Sequence, residues 1–174
     1  NLTPKDLLMD VTATSGPQGD GLGDGWDDVP VAWRDLPVGE YAFPGELRDR
    51  LVSAIARGAK TSTTALLADY EHFADPLPEI GFREVVIDAQ GAPVVVTEIT
   101  SVRVCRLDEV TLEHALAEGE GHHSVEEWRA GHLRFWSSAQ YQAEVGEVPL
   151  NDATPVVCVE FRVTERPGAS PALD

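Results

Sequence analysis

Arg83-Glu84-Val85-Val86-Ile87-Asp88-Ala89-Gln90-Gly91-Ala92-Pro93-Val94-Val95-Val96-Thr97-Glu98-Ile99-Thr100 reads as two strands and the turn between them. β-Branched residues fill Arg83 to Asp88 and again Pro93 to Arg106, and Ala89-Gln90-Gly91-Ala92 supplies a hairpin turn. A closing strand, Thr154 to Thr164, sets Val157, Val159, Phe161 and Val163 on one face. Outside the strands the spacing turns helical. Pro44 opens a segment carrying Leu47, Leu51, Val52 and Ile55, and Gly58 stops it. Asp108 to Glu118 reads as a helix ended by Gly119, and Ser124 with Glu127 is a capping box for a helix over Val125 to Ser138. Thr64 to Phe73 reads as a short helix or an irregular lid. The class that follows is α+β: a small, mostly antiparallel sheet, expected to curl into a β-barrel with flanking helices across one mouth.

A length of 174 residues predicts one domain, and 43% hydrophobic residues suffice for a core. Residues 1–35 are expected as an irregular N-terminal arm, since Gly16 to Gly25 holds five glycines, with Trp26 and Trp33 docking it. Residues 36–166 form the expected domain, and 167–174 a flexible tail. No apolar run approaches the ~20 residues that cross a bilayer. Asn1 to Asp10 has neither the basic patch nor the apolar stretch of a signal peptide. Cys105 and Cys158 lie within strand-like runs and read as buried free thiols of a cytoplasmic chain. The net charge of −17 argues against long polynucleotides, duplex DNA included, because phosphates are held mainly by Lys and Arg. A nucleoside-sized ligand is the better match.

Chemistry concentrates in two stretches. Gly58-Ala59-Lys60-Thr61-Ser62-Thr63 places an amine and hydroxyls just past a helix stop, where the backbone can curl around a small polar group. An amine near helix ends and apolar walls loses charge to desolvation and can serve as base or nucleophile. Thr63 is placed to face the same side as Lys60. Glu118-Gly119-Glu120 puts carboxylates at a helix C-terminus, against the macrodipole, which suggests that one of them meets a partner such as Lys60. Either Glu118 or Glu120 could face the pocket. His114, His122, His123 and His132 have no zinc-type spacing, so neither metal nor cofactor is expected, and His132 reads as part of a core stripe with Trp128, Phe135 and Trp136. One of the aromatic rings, Trp128 or Tyr70, could stack on a base.

The ordered set of motifs resembles the ASCH (activating signal cointegrator homology) domain family. Gly58-x-Lys60-x-x-Thr63 is similar to its Gly-x-Lys-x-x-Thr signature. Leu66-Leu67-x-x-Tyr70-Glu71, Leu77-Pro78-x-x-Gly81 and Val94 to Thr100 support it. Glu118-Gly119-Glu120-Gly121, Ser124-x-x-x-Trp128 and His132-x-x-Phe135-Trp136 complete the set, and the resemblance spans Tyr41 to Arg166. It implies a PUA-like β-barrel. It also implies hydrolysis of an amide in an acylated nucleoside such as 4-acetylcytidine, with Lys60, Thr63 and Glu118 as catalytic residues. Ser62, Tyr70, Glu120 and Trp128 would bind the substrate. The alternative it implies is a single-stranded RNA-binding module or ribonuclease using the same cleft. His122 stands where many relatives of this longer type carry an acidic residue.

Overall fold

The computed structural model describes residues 12–14, 24–42 and 44–168, with side chains from 24 onward. Most of the expected arm, and 169–174 of the expected tail, lie outside the described residues. Six strands form one sheet: β1 (Thr12–Thr14), β2 (Val38–Glu40), β3 (Ser62–Leu66), β4 (Arg83–Ile87), β5 (Pro93–Arg106) and β6 (Pro155–Glu165). Their order is β1-β2-β4-β5-β6-β3, and every pairing is antiparallel except β2 with β4. The expected closed barrel is not formed. The sheet is open, with β1 and β3 at its two edges, and the three-residue β1 and β2 give one end too short a ladder to close on the other.

The hairpin forms as read. Asp88 Oδ1 accepts from the N–H groups of Gln90 and Ala92, and Gly91 takes a positive φ of 82°. The 14-residue β5 carries the sheet, pairing along its length with both β4 and β6. Five helices pack on it: α1 (Glu46–Ala56), α2 (Leu67–Phe73), α3 (Leu112–Ala117), α4 (Val125–Trp136) and α5 (Ala139–Val145). None of the described helices is long and apolar enough to cross a membrane.

One finding departs from the expected elements. The hydroxyl run Ser62–Thr64 is the start of strand β3, buried along its whole length, rather than a turn leading into a lid. Trp26 and Trp33 dock as expected: they are buried against Val38, Val85 and Val96, and their indole N–H groups donate to Gly91 O at 3.0 Å and Glu165 Oε2 at 2.6 Å. Cys105 and Cys158 face each other across β5 and β6 as free thiols, Sγ to Sγ 3.9 Å, and burial pushes the Cys158 thiol up to about 12.

Glu84 on β4 is buried beneath Gly39, where a Cβ would come within 2.5 Å of its carboxyl. Burial pushes this carboxyl up to about 8, against the pull of hydrogen bonds from Tyr41 and Thr97. Between the ordinary glutamate value of 4.5 and about 8 the unfolded chain is ionised here while the folded one keeps its proton. Folding then takes up a proton, so stability falls as pH rises, by about 1.4 kcal/mol per pH unit from this group alone. Glu84→Gln should flatten that slope, and denaturant melts from pH 5 to 9 would show the variant gaining on the wild type toward alkaline pH.

Candidate functional site

Two helix stops interlock to build the site. At the end of α1, Gly58 turns with φ 77°, and the N–H groups of Ala59 and Lys60 both donate to Ala54 O at 2.8 and 3.1 Å. At the end of α3, Gly119 takes φ 66°. Thr61 N–H donates to Ala117 O at 2.7 Å, so the start of β3 is tied to the end of α3. A Cβ on Gly119 would sit 2.3 Å from Ala59 O, so only glycine permits the two reversals to touch. Gly119→Ala should therefore cost about 2–4 kcal/mol through left-handed strain and displaced backbone. A melting curve that matched the wild type would show that this contact is not needed.

Lys60 is 1% exposed, and its Nζ donates to Ser62 O at 3.1 Å, Glu118 O at 3.3 Å and Glu120 Oε1 at 3.1 Å. Three acceptors match the three N–H groups of an ammonium. Of the two carboxylates open to Lys60 in the sequence, Glu120 is the one that pairs with it, and Glu118 offers only its backbone carbonyl.

The Glu118 carboxylate is itself 1% exposed and turned to a second set of partners. Oε1 accepts from Thr64 Oγ1 at 2.7 Å, with His114 Nε2 3.6 Å away, and Oε2 lies 3.2 Å from His132 Nε2. Thr64 Oγ1 is also 2.7 Å from His114 Nε2. Since the Thr64 proton goes to Glu118, the His114 nitrogen must be the donor there. Burial alone would push the Glu118 carboxyl up. The charge of His132, hydrogen bonds from His114 and His132, and the charge of Lys60 outweigh it and hold the group well below the usual carboxylate range.

His132 is clamped at both ring nitrogens, Nδ1 at 3.0 Å from Trp128 O and Nε2 on Glu118. Both partners only accept, so both nitrogens carry protons. Burial opposes the charge, and the Glu118 carboxylate overcomes it, so the imidazole is raised above its ordinary value. His132 is thus the counter-ion of Glu118 rather than a residue of an apolar stripe. Two cations, Lys60 and His132, balance two anions, Glu118 and Glu120, which is how four charged groups tolerate burial.

The remaining expected site residues divide. Ser62, fully buried, donates to His114 O at 2.9 Å and so ties β3 to α3. Thr63 follows it on β3 and is 2% exposed. Tyr70 packs half-buried against the cluster of Ile99, Val157 and Val159. Trp128 is fully buried in the core and stacks on His132, ring centroids 4.2 Å apart, so its face is not open to a base. Thr64 and His132 carry no local sequence signal of a site, because only the tertiary fold brings them to Glu118. Among the described residues no group of three or more His, Cys, Asp or Glu is placed to hold a metal ion.

Beside this cluster lies a cleft of about 340 Å³ lined by Glu120, His122, Gly131, His132, Arg134 and Phe135. That is within the range of small-molecule sites. Glu120 and His132 belong both to the cleft wall and to the buried charge cluster.

The family model described as ASCH domain matches residues 40–165. Among solved structures, the ASCH domain from Lactobacillus crispatus JV V101 is 27% identical with a TM-score of 0.64, over 72% of this chain and 77% of that one. A protein from Enterococcus faecalis V583 is 25% identical with a TM-score of 0.61, over 70% of this chain and 71% of that one. The search of curated proteins finds no match.

Proposed function

We propose that this chain, which belongs to the ASCH domain family, hydrolyses the amide of an acylated nucleoside of the 4-acetylcytidine kind. The observation that carries the reading is the Lys60–Glu120 ion pair at 3.1 Å, buried at one end and lining a nucleoside-sized cleft at the other. An ammonium engaged by three acceptors serves as a fixed positive charge better than as a nucleophile, so the attacking group is water. Glu120 takes one water proton as the oxygen adds to the acyl carbon. The fixed positive charge of Lys60, held behind Glu120, favours the negative charge that develops on the acyl oxygen. Thr63, between Ser62 and Thr64 on β3, faces the other side of the sheet and takes no part. As the C–N bond breaks, the proton on Glu120 passes to the leaving nitrogen, and acetic acid and cytidine are the products. Glu118 is a positioning residue here: its carbonyl holds Lys60, and its carboxylate is committed to His132, Thr64 and His114.

Chromatography of 4-acetylcytidine incubated with the protein tests the reading. Wild type should release cytidine, and Glu120→Gln should lose about a hundredfold or more in rate, as expected for a general base. A wild type inert toward 4-acetylcytidine but able to cut single-stranded RNA would replace this reading with the ribonuclease one.

A further inference from the structure

We infer that the cleft takes its nucleoside as a 5′-monophosphate, with Arg134 meeting the phosphate. This rests on the nucleoside reading of the same cleft. Arg134 lines the cleft, is exposed, and makes no hydrogen bond or ion pair among the described residues. Six of the eleven arginines, Arg34, Arg48, Arg83, Arg106, Arg129 and Arg162, are paired with carboxylates, whereas Arg134 stands on the cleft wall with its guanidinium open. The positions three and four residues from Arg134 on its own chain are Ala130, Gly131, Ser137 and Ser138, so no local carboxylate competes for it. A place in the last turn of α4 suits the helix dipole but leaves the guanidinium fork unfilled.

The rest of the wall fits a flat ring. Gly131 has no side chain, and His122 lies across it: a Cβ there would come within 3.1 Å of the imidazole. The His122 and His132 rings stand 6.3 Å apart between centroids, and Phe135 completes the aromatic lining. Glu120 supplies an acceptor suited to the exocyclic N–H of a cytosine-type base. A cleft with an acceptor, flat rings and one open guanidinium matches a base carrying a single phosphate. A volume of about 340 Å³ and a net charge of −17 do not suit a strand of several nucleotides.

Calorimetric titration with cytidine, cytidine 5′-monophosphate and a single-stranded tetraribonucleotide separates the possibilities, using wild type and Arg134→Gln. The monophosphate should bind wild type about tenfold more tightly than cytidine, and Arg134→Gln should erase that advantage. The monophosphate affinity should fall as added salt screens the guanidinium–phosphate contact, while that of cytidine should hardly change. Equal affinity of wild type for cytidine and its monophosphate would overturn the phosphate assignment and leave the nucleoside reading standing. Tighter binding of the tetranucleotide, with a steeper salt slope, would overturn it in favour of RNA. Failure of both cytidine and its monophosphate to bind would remove this inference and the nucleoside reading together.

Discussion

Glu118→Ala should be the most destabilising single substitution in the site, costing about 3–5 kcal/mol. The side chain is 1% exposed, and its removal leaves the His132 imidazolium and the Lys60 ammonium with only one nearby carboxylate between them. For a domain of this size the loss corresponds to a fall of about 10 °C in melting temperature. The pH dependence identifies the cause. Glu118 is depressed, so its contribution is present above the ordinary value of 4.5 and is lost as pH falls below it. His132 is raised, so its contribution is present below its ordinary value of 6.5 and is lost as pH climbs through the higher folded value. The gap between wild type and Glu118→Ala should therefore be widest near pH 5–6 and narrow on either side. A gap constant from pH 4 to 9 would show that lost packing, not lost charge, sets the cost.

Lys60→Ala should abolish detectable turnover, with a loss of about 10²–10³-fold or more, the scale of removing a preorganised charge from a site of developing charge. The same change strands three acceptors, the carbonyls of Ser62 and Glu118 and the Glu120 carboxylate. Some stability must go with them. Circular dichroism at the assay temperature separates the two effects, because a folded but inactive variant assigns the loss to chemistry. Lys60→Ala that stays folded and retains most of its activity would remove Lys60 from the mechanism.

The hairpin and the helix stops at Gly58 and Gly119 were legible because periodicity and turn chemistry are local. Strand β3 was not. Ser62, Thr63 and Thr64 look like a polar turn, and only their place between β6 and α3 makes them a buried strand. β2 and β1 are too short to leave a period. His132 shares four-residue spacing with Trp128 and Trp136, so the sequence reads it as core. Its charge becomes visible only when α3 delivers Glu118 to within 3.2 Å. The same contact decides between the two carboxylates: Glu118 turns inward to the histidines, and Glu120 reaches both Lys60 and the cleft. The sequence leaves Trp128 open between core and base stacking for a related reason, since an indole that suits a nucleobase suits a buried imidazole equally well. The missing barrel closure is likewise a property of edge lengths that no single strand pattern encodes.

The most direct measurement is release of cytidine from 4-acetylcytidine by wild type and Lys60→Ala side by side. Turnover by wild type, and none by a folded Lys60→Ala, is the predicted result. Equal rates in the two proteins, or no cytidine from wild type, would contradict a hydrolase built on the Lys60–Glu120 pair.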